Sequence, residues 1–379
     1  MMINFPGIAK LKTKQVVFQE IFSAADPATL EQLKELSSKR RAIEVSINES
    51  SYLTEAIARE MSGGLTSRYE QEIQKLEQYL PLLYNLVCHL NLAYRNSRGA
   101  YSKSDLKIAW SSSLTSTCFT HFRGTKYFEI DDLMFELGMV LFLYGAMLRE
   151  RALELLQTDL VQSATLFRKA AGVYQHLAEF ILPFLRPKPA IKQPPEYVAG
   201  VASVMSLLCL AEAQAVTAKK AEEKGNTQSL LSKLHYGVRD FLREALDVLQ
   251  SASKECKDIS SSFMDFIRSS EMLHELKSYK YLAESLMNEG KIGGAIGVLR
   301  HALTNSEKNT PKEESWRLVL KQVKEELTRL LQKYEHENDF VWREKIPNHH
   351  DLPFPQATKI VSSIPYFLRV TETKLVFKT

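Results

Sequence analysis

Apolar residues recur every three or four positions along most of this chain, and the places where that rhythm breaks divide it into segments. Residues 11–22 bring together Val16, Val17, Phe18, Ile21 and Phe22 and predict a strand. Asp26-Pro27 then reads as an N-cap followed by a first-turn proline, opening a helix to about Ile47. Helical windows follow over Leu53–Met61 and Arg68–Tyr94, parted by Gly63-Gly64. Leu106–Trp110, Phe119–Phe122 and Tyr127–Ile130 are short, β-prone and separated by Ser, Thr and Gly, which predicts a small antiparallel sheet. From Leu133 to Leu156 the chain is apolar on nearly every side, as suits a helix at the centre of the molecule. Val161–Phe184 is its expected partner, Pro183–Pro195 an internal loop, and Tyr197–Lys219 a further apolar helix.

Two later segments carry more specific patterns. Tyr279–Leu303 has tetratricopeptide spacing, with Ala283 in a first helix, Gly290 at the turn, and Ala295, Leu299 and Ala302 in a second. A looser version recurs over 133–180, so a stack of helical hairpins is expected. The window Glu313–Tyr334 places Trp316, Val319, Leu320, Val323, Leu327, Leu330 and Leu331 on one face, and the period ends at Asn338. Beyond it, Ile346-Pro347 forces extended backbone. This aromatic segment is predicted to lie as a strap over the helices, burying Phe340, Trp342 and Ile346.

Composition narrows the function classes. The chain has 379 residues, 45% hydrophobic and 25% charged, with a net charge of +4 spread along its length. Such a diffuse charge argues against nucleic acid as a partner. Lys39-Arg40-Arg41 and Lys219-Lys220 are read as solvated helix faces, with contact to an acidic membrane surface as the alternative. Cys88, Cys118, Cys209 and Cys256 form no paired motif and read as buried free thiols of a reducing compartment. The start has no apolar core of a signal peptide, and the apolar runs Leu133–Leu148 and Val198–Ala211 fall short of the roughly 20 residues that span a bilayer. A cytoplasmic protein is expected.

Catalytic and metal patterns are weak. The glycines at 290, 293, 294 and 297 lack the preceding strand and the Lys-Ser/Thr of a phosphate loop, and are read as helix packing. His349-His350-Asp351 has no accompanying HExxH or Cys/His pattern and reads as a capped turn. Asp131-Asp132 and Glu313-Glu314 sit at helix starts, where carboxylates complement the dipole. The expectation is no enzyme, no cofactor, no metal and no small-molecule substrate.

Five motifs in order resemble one family. VLFLYGAMLRERA (Val140 to Ala152), AAGVYQHLAE (Ala170 to Glu179), SLLCLAEAQAV (Ser206 to Val216), GGAIGVLRHA (Gly293 to Ala302) and ENDFVWREKIP (Glu337 to Pro347) are similar to the BRO domain, an endosomal-targeting domain. The resemblance covers about residues 100–355 well and the N-terminal third loosely. It implies a mainly α, elongated, boomerang-shaped domain with tetratricopeptide-like core hairpins and a small antiparallel sheet. On that reading residues 1–379 form one domain: N-terminal strand and helices (1–100), sheet (101–132), helical core (133–336) and extended C-terminal strap (337–379). The chain ends soon after the strap, at Thr379, as in the family's short, stand-alone members.

The resemblance also implies a function. Family members bind the C-terminal amphipathic helix of an ESCRT-III filament subunit in a concave apolar groove and act as adaptors, peripherally recruited to endosomes. Carried over by position, the groove falls on Leu208, on a face with Val204, Leu207 and Ala211, and on Leu331 before the strap. A third contact falls on Arg151, where the family prefers an aliphatic residue, so either Leu148 takes over by a shift of register or the groove has altered specificity. Arg151 also motivates the alternative of a helical-repeat scaffold for another trafficking or small-GTPase partner.

Overall fold

The computed structural model describes residues 5, 7–49, 67–96, 106–115, 125–184, 192–306, 311–369 and 373–377. The segment expected as a first strand is instead extended coil with one bridge from Thr13 to Trp110, ending in a single helical turn, α1 (Phe18–Ile21). Val16, Phe18 and Phe22 are buried there, so the β-prone residues serve the core without joining a sheet. Asp26 caps α2 (Pro27–Glu49) as its sequence predicts, its Oδ1 accepting from the Thr29 N–H at 2.7 Å. The Leu53–Met61 helix and its glycine pair lie outside the described residues. Next comes α3 (Arg68–Asn96), followed by β1 (Ile108–Ser111) and β2 (Tyr127–Ile130), which pair antiparallel with Ile108 opposite Ile130. The expected middle strand, Phe119–Phe122, lies outside the described residues, as does Cys118.

The remaining helices stack antiparallel, each against the next. They are α4 (Leu133–Glu154), α5 (Leu160–His176), α6 (Ala199–Glu223), α7 (Gln228–Glu255), α8 (Ser261–Asn288), α9 (Ile292–Ser306) and α10 (Glu314–Glu337). Central α4 buries Phe135, Leu137, Met139 to Leu143 and Ala146, so its all-round apolarity reflects helices on several sides. With 25 residues, α6 is long and apolar enough to cross a membrane, yet most of its apolar window is buried by its neighbours. The α8–α9 hairpin turns at Gly290, whose φ of +75° suits a residue without Cβ. Ala283, Ala295, Leu299 and Ala302 all lie in the core.

Charges buried in this stack tie its helices together. Arg40, read from sequence as part of a solvated face, is fully buried and donates through Nε to Glu136 on α4. The same carboxylate accepts from Tyr79 Oη at 3.2 Å and from Trp110 Nε1 at 2.7 Å, so one group on α4 fastens α2, α3 and β1. Desolvation is offset here because each partner supplies a hydrogen bond. Glu196, also buried, accepts from the backbone N–H groups of Ser113 and Leu114. Of the described cysteines only Cys209 is fully buried, while Cys88 and Cys256 are half-buried.

Between α7 and α8, His235 Nδ1 and His274 Nδ1 lie 3.1 Å apart in the core, with Tyr281 stacked on His235. Burial holds both imidazoles neutral, pulling His235 down to about 3 and His274 well below its ordinary value. Their folded values lie below the unfolded one, near 6.5, so the unfolded chain binds more protons as pH falls, and stability drops. One unit below that value the cost is on the order of 1.4 kcal/mol per histidine. Urea titrations at neutral pH and near pH ~5.5 should show this loss in the native sequence, and a smaller one in His235→Phe/His274→Leu. Equal losses in both would mean that other groups set the acid sensitivity.

The C-terminal tail departs most from expectation. The helix does not stop at Asn338 but runs on through a wider turn, Asn338–Trp342, and ends at Arg343 with φ of +51°. Buried Asn338 clasps this turn, its Nδ2 donating to the Glu344 carbonyl and its Oδ1 accepting from the Glu344 N–H. The continued turn projects Phe340 and Trp342 outward, 73% and 56% exposed, so neither is the buried anchor the sequence predicts. Ile346 is half-buried against the core, as predicted in part.

From Glu344 the tail is extended and crosses the helices in reverse order. Glu344 accepts from the Gly293 N–H on α9, and the Thr358 N–H donates to Lys233 O on α7. Gln214 on α6 spans two tail residues: its Nε2 donates to Thr358 O at 2.8 Å and its Oε1 accepts from the Ile360 N–H at 3.0 Å. The Ile364 N–H reaches Arg168 O on α5, Tyr366 packs on Tyr144 of α4, and Asn85 of α3 donates to Thr373 O. Val376 pairs with Ala25 and Thr29 at the start of α2. Glycines lie beneath this path. A Cβ at Gly172, Gly237 or Gly293 would stand 1.8, 2.4 or 2.3 Å from the carbonyl oxygens of Ile364, Thr358 and Lys345, and one at Gly297 would strike Leu352. Gly293 and Gly297 therefore make room for the tail; only Gly294 meets the neighbouring helix, at Leu286.

Candidate partner-binding surface

The central helix of the expected groove, α6, is set against α4 by an ion pair that the sequence does not display. Arg149 is fully buried and donates through Nε to Glu212 Oε2 at 2.8 Å, with Glu150 Oε1 3.3 Å from its Nη1. Burial alone would lower the Arg149 pKa, but the facing carboxylates of Glu212 and Glu150 carry it above the ordinary value, so the guanidinium stays charged. This bond ties α6 to α4, while the packing of α5 and α7 along α6 sets its rotation and hence which of its residues reach the surface.

That rotation turns most of the expected groove inward. Leu208 is 1% exposed, and with Ala211, Val238, Leu242, Phe266 and His274 it surrounds a cavity of about 20 Å³. Val204, Ala211 and Leu148 are likewise core. The placement of Leu148, Val204, Leu208 and Ala211 on an exposed face is corrected accordingly, since a side chain enclosed on all sides offers no apolar area to a docking helix. Arg151 does not face an open groove either. Its Nε lies 3.2 Å from Glu70 Oε2 and its Nη1 2.8 Å from Glu154 Oε2, tying α4 to α3.

Leu207 and Leu331 remain accessible. Leu207 is half-buried on a stripe of α6 that runs Ser203, Leu207, Leu210, at i, i+4, i+7 spacing. Leu210, absent from the sequence-derived set, belongs to the same surface; one step of helical register separates it from the expected face. Periodicity gives no warning, because α6 is apolar all round. Leu331 is half-buried on α10, which packs on α8 and α9, whereas α6 packs on α5 and α7. The two leucines thus belong to separate parts of the stack. The turn His349–Asp351 is exposed, and among the described residues no group of His, Cys, Asp and Glu is arranged to hold a metal ion.

A stack of antiparallel helices, laced along its length by its own extended tail, defines a helical scaffold. A family model for the BRO1-like domain matches residues 37–378, and the chain belongs to that family. It is similar to human Programmed cell death 6-interacting protein, 23% identical over 309 residues that make up 80% of this chain and 32% of that protein. It is also similar to the human BRO1 domain-containing protein BROX, 26% identical over 216 residues, 52% of this chain and 50% of that one. The chain thus spans about a third to a half of the length of these relatives. Among solved structures, the ALIX BRO1 domain in complex with CHMP4C superimposes with a TM-score of 0.70 at 18% identity, over 97% of this chain and 96% of the other. The mainly helical, elongated architecture with a small antiparallel sheet is therefore the BRO1 fold.

Proposed function

We propose that this protein is a non-enzymatic adaptor of endosomal sorting that binds the C-terminal amphipathic helix of an ESCRT-III filament subunit. One observation carries the reading: nearly the whole chain shares its fold with a BRO1 domain solved in complex with CHMP4C. Helix-in-groove recognition asks for aliphatic side chains at i, i+3 or i+4 spacing on a rigid face and for no reactive group. Leu207 and Leu331, from the positions carried over from the family, and Leu210 beside Leu207 on α6 are accessible aliphatic residues that support this reading. On this reading the protein works in the cytoplasm and reaches endosomes through its partner. Direct lipid contact through the 39–41 cluster has less support, because Arg40 is buried beneath it.

Titration of the isolated ESCRT-III C-terminal helix into the protein should give micromolar affinity, on the order of 8 kcal/mol. Leu207→Asp and Leu331→Asp are each expected to weaken it by about tenfold or more without unfolding the chain. Leu208→Asp is expected to act differently, through loss of fold, since it buries a charge. Absence of binding by the native sequence would refute the proposal. The alternative scaffold for another trafficking or small-GTPase partner rests on Arg151, and would be favoured by a partner whose binding falls with Arg151→Ala and ignores Leu207→Asp.

A further inference from the structure

Where the tail passes from α5 to α4, aromatic rings follow one another in a row. The wider turn Leu177–Ile181, which carries the chain on from the end of α5, leaves Phe180 57% exposed. Its ring stacks on His176 with centroids 5.4 Å apart, His176 meets Tyr366 of the tail at 5.6 Å, and Tyr366 meets Tyr144 of α4 at 5.7 Å. Burial pulls the His176 pKa below its ordinary value against the attraction of Glu179, and its Nε2 is buried with no hydrogen-bond partner. The ring is therefore neutral at pH 7 and adds no positive charge to the row. A carboxylate stands toward each end. Glu179 Oε1 accepts from Gln175 Nε2 at 3.0 Å, and Glu77 Oε1 of α3 accepts from Tyr144 Oη at 2.9 Å. Both glutamates are exposed, and neither is ion-paired with any described residue. Arg369, exposed on the tail, stands within electrostatic reach of the Tyr366 phenol, as a partner's guanidinium would.

We propose that this aromatic row docks an arginine-rich segment of a partner protein. Guanidinium groups stack on aromatic faces and fork onto carboxylates, and the row offers both side by side. An extended segment carries every second side chain on one face, roughly 7 Å apart, close to the spacing of the rings, so consecutive arginines of that face reach consecutive rings. The unpaired carboxylates disfavour the two other surfaces that exposed aromatics serve, because they repel anionic lipid headgroups and nucleic-acid phosphates. The chain as a whole carries a net charge of +4, so a cationic segment is drawn by this local site and not by the overall charge. None of these residues belongs to the surface proposed above for the ESCRT-III helix, and the site is additional to it.

The test uses the whole chain and a fluorescein-labelled, end-capped peptide of sequence GRGRGRGRG, followed by anisotropy. Saturable binding is expected, weakened at higher salt and reduced about tenfold or more by Phe180→Ala/Glu179→Gln, a pair of changes at exposed side chains. Glu77→Gln, which keeps an acceptor for Tyr144, should weaken it several-fold, and Leu331→Asp should leave it unchanged. Replacing every arginine of the peptide by lysine keeps the charge but loses the planar stack, and should also weaken binding several-fold. An unchanged thermal unfolding midpoint establishes that each variant is folded. No saturable binding, binding indifferent to Phe180→Ala/Glu179→Gln and to Glu77→Gln, or equal binding of the lysine peptide would each overturn the proposal. So would phosphatidylcholine vesicles that bind through these residues while the peptide does not.

Discussion

Replacing Gly172 by alanine is expected to destabilise the protein although alanine is the better helix former. Gly172 lies inside α5 with ordinary helical backbone, where the exchange alone would gain roughly 0.5–1 kcal/mol. Its new Cβ would stand 1.8 Å from the carbonyl oxygen of Ile364, a backbone atom with no side-chain freedom to yield. The tail must lift, losing the Ile364-to-Arg168 backbone bond and the seat of Tyr366 against Tyr144 and His176. Overpacking of this kind costs about 1–3 kcal/mol and the lost hydrogen bond about 1 more, so the net sign is destabilising. Amide exchange and limited proteolysis should show residues 362–368 opening first. Gly294→Ala is the control, since its Cβ meets only Leu286 Cδ1 at 3.8 Å. If both substitutions stabilise α5 and α9 alike, the tail does not constrain Gly172.

The second large effect concerns the Arg149–Glu212 pair. Glu212→Leu is expected to cost about 3–5 kcal/mol, because it takes from a fully buried guanidinium the carboxylate to which it donates. Arg149→Met should cost a similar amount by stranding Glu212. The double replacement Arg149→Met/Glu212→Leu removes both charges and fills the volume, and should recover most of the loss. Guanidinium denaturation of the four proteins measures the coupling. Additive losses in the double variant would show that the two residues act separately.

These two sites also show what could be read in advance. The positions of α2, α3, α4, α5, α6, α9 and α10 follow the apolar period to within a few residues, and Asp26, Asp132 and Gly290 mark the ends they occupy in the structure. Five ordered motifs were enough to point to the family. The amphipathic helix α7, Gln228–Glu255, was open to the same reading but was not among the elements drawn from it. The candidate surface was much less legible. Leu207 and Leu208 are adjacent leucines in a helix that is apolar on all sides, and only the helices around α6 distinguish the buried one from the accessible one. Arg40, in a run of three basic residues, looks like surface until Glu136, 96 positions away, is found beside it. Phe340 and Trp342 look like core until the wider turn is seen to point them outward.

By itself, the sequence determined what depends on neighbours within a turn or two: where helices start and stop, and the family signature carried by their small and apolar residues. Helical hydrogen bonds and caps are local, so local spacing specifies them. Tertiary structure decided which face of each helix is left open, which charges are buried in pairs, and why glycines stand at 172, 237, 293 and 297. Those outcomes depend on contacts between residues up to two hundred positions apart, as between Gly172 and Ile364, and no local period encodes them.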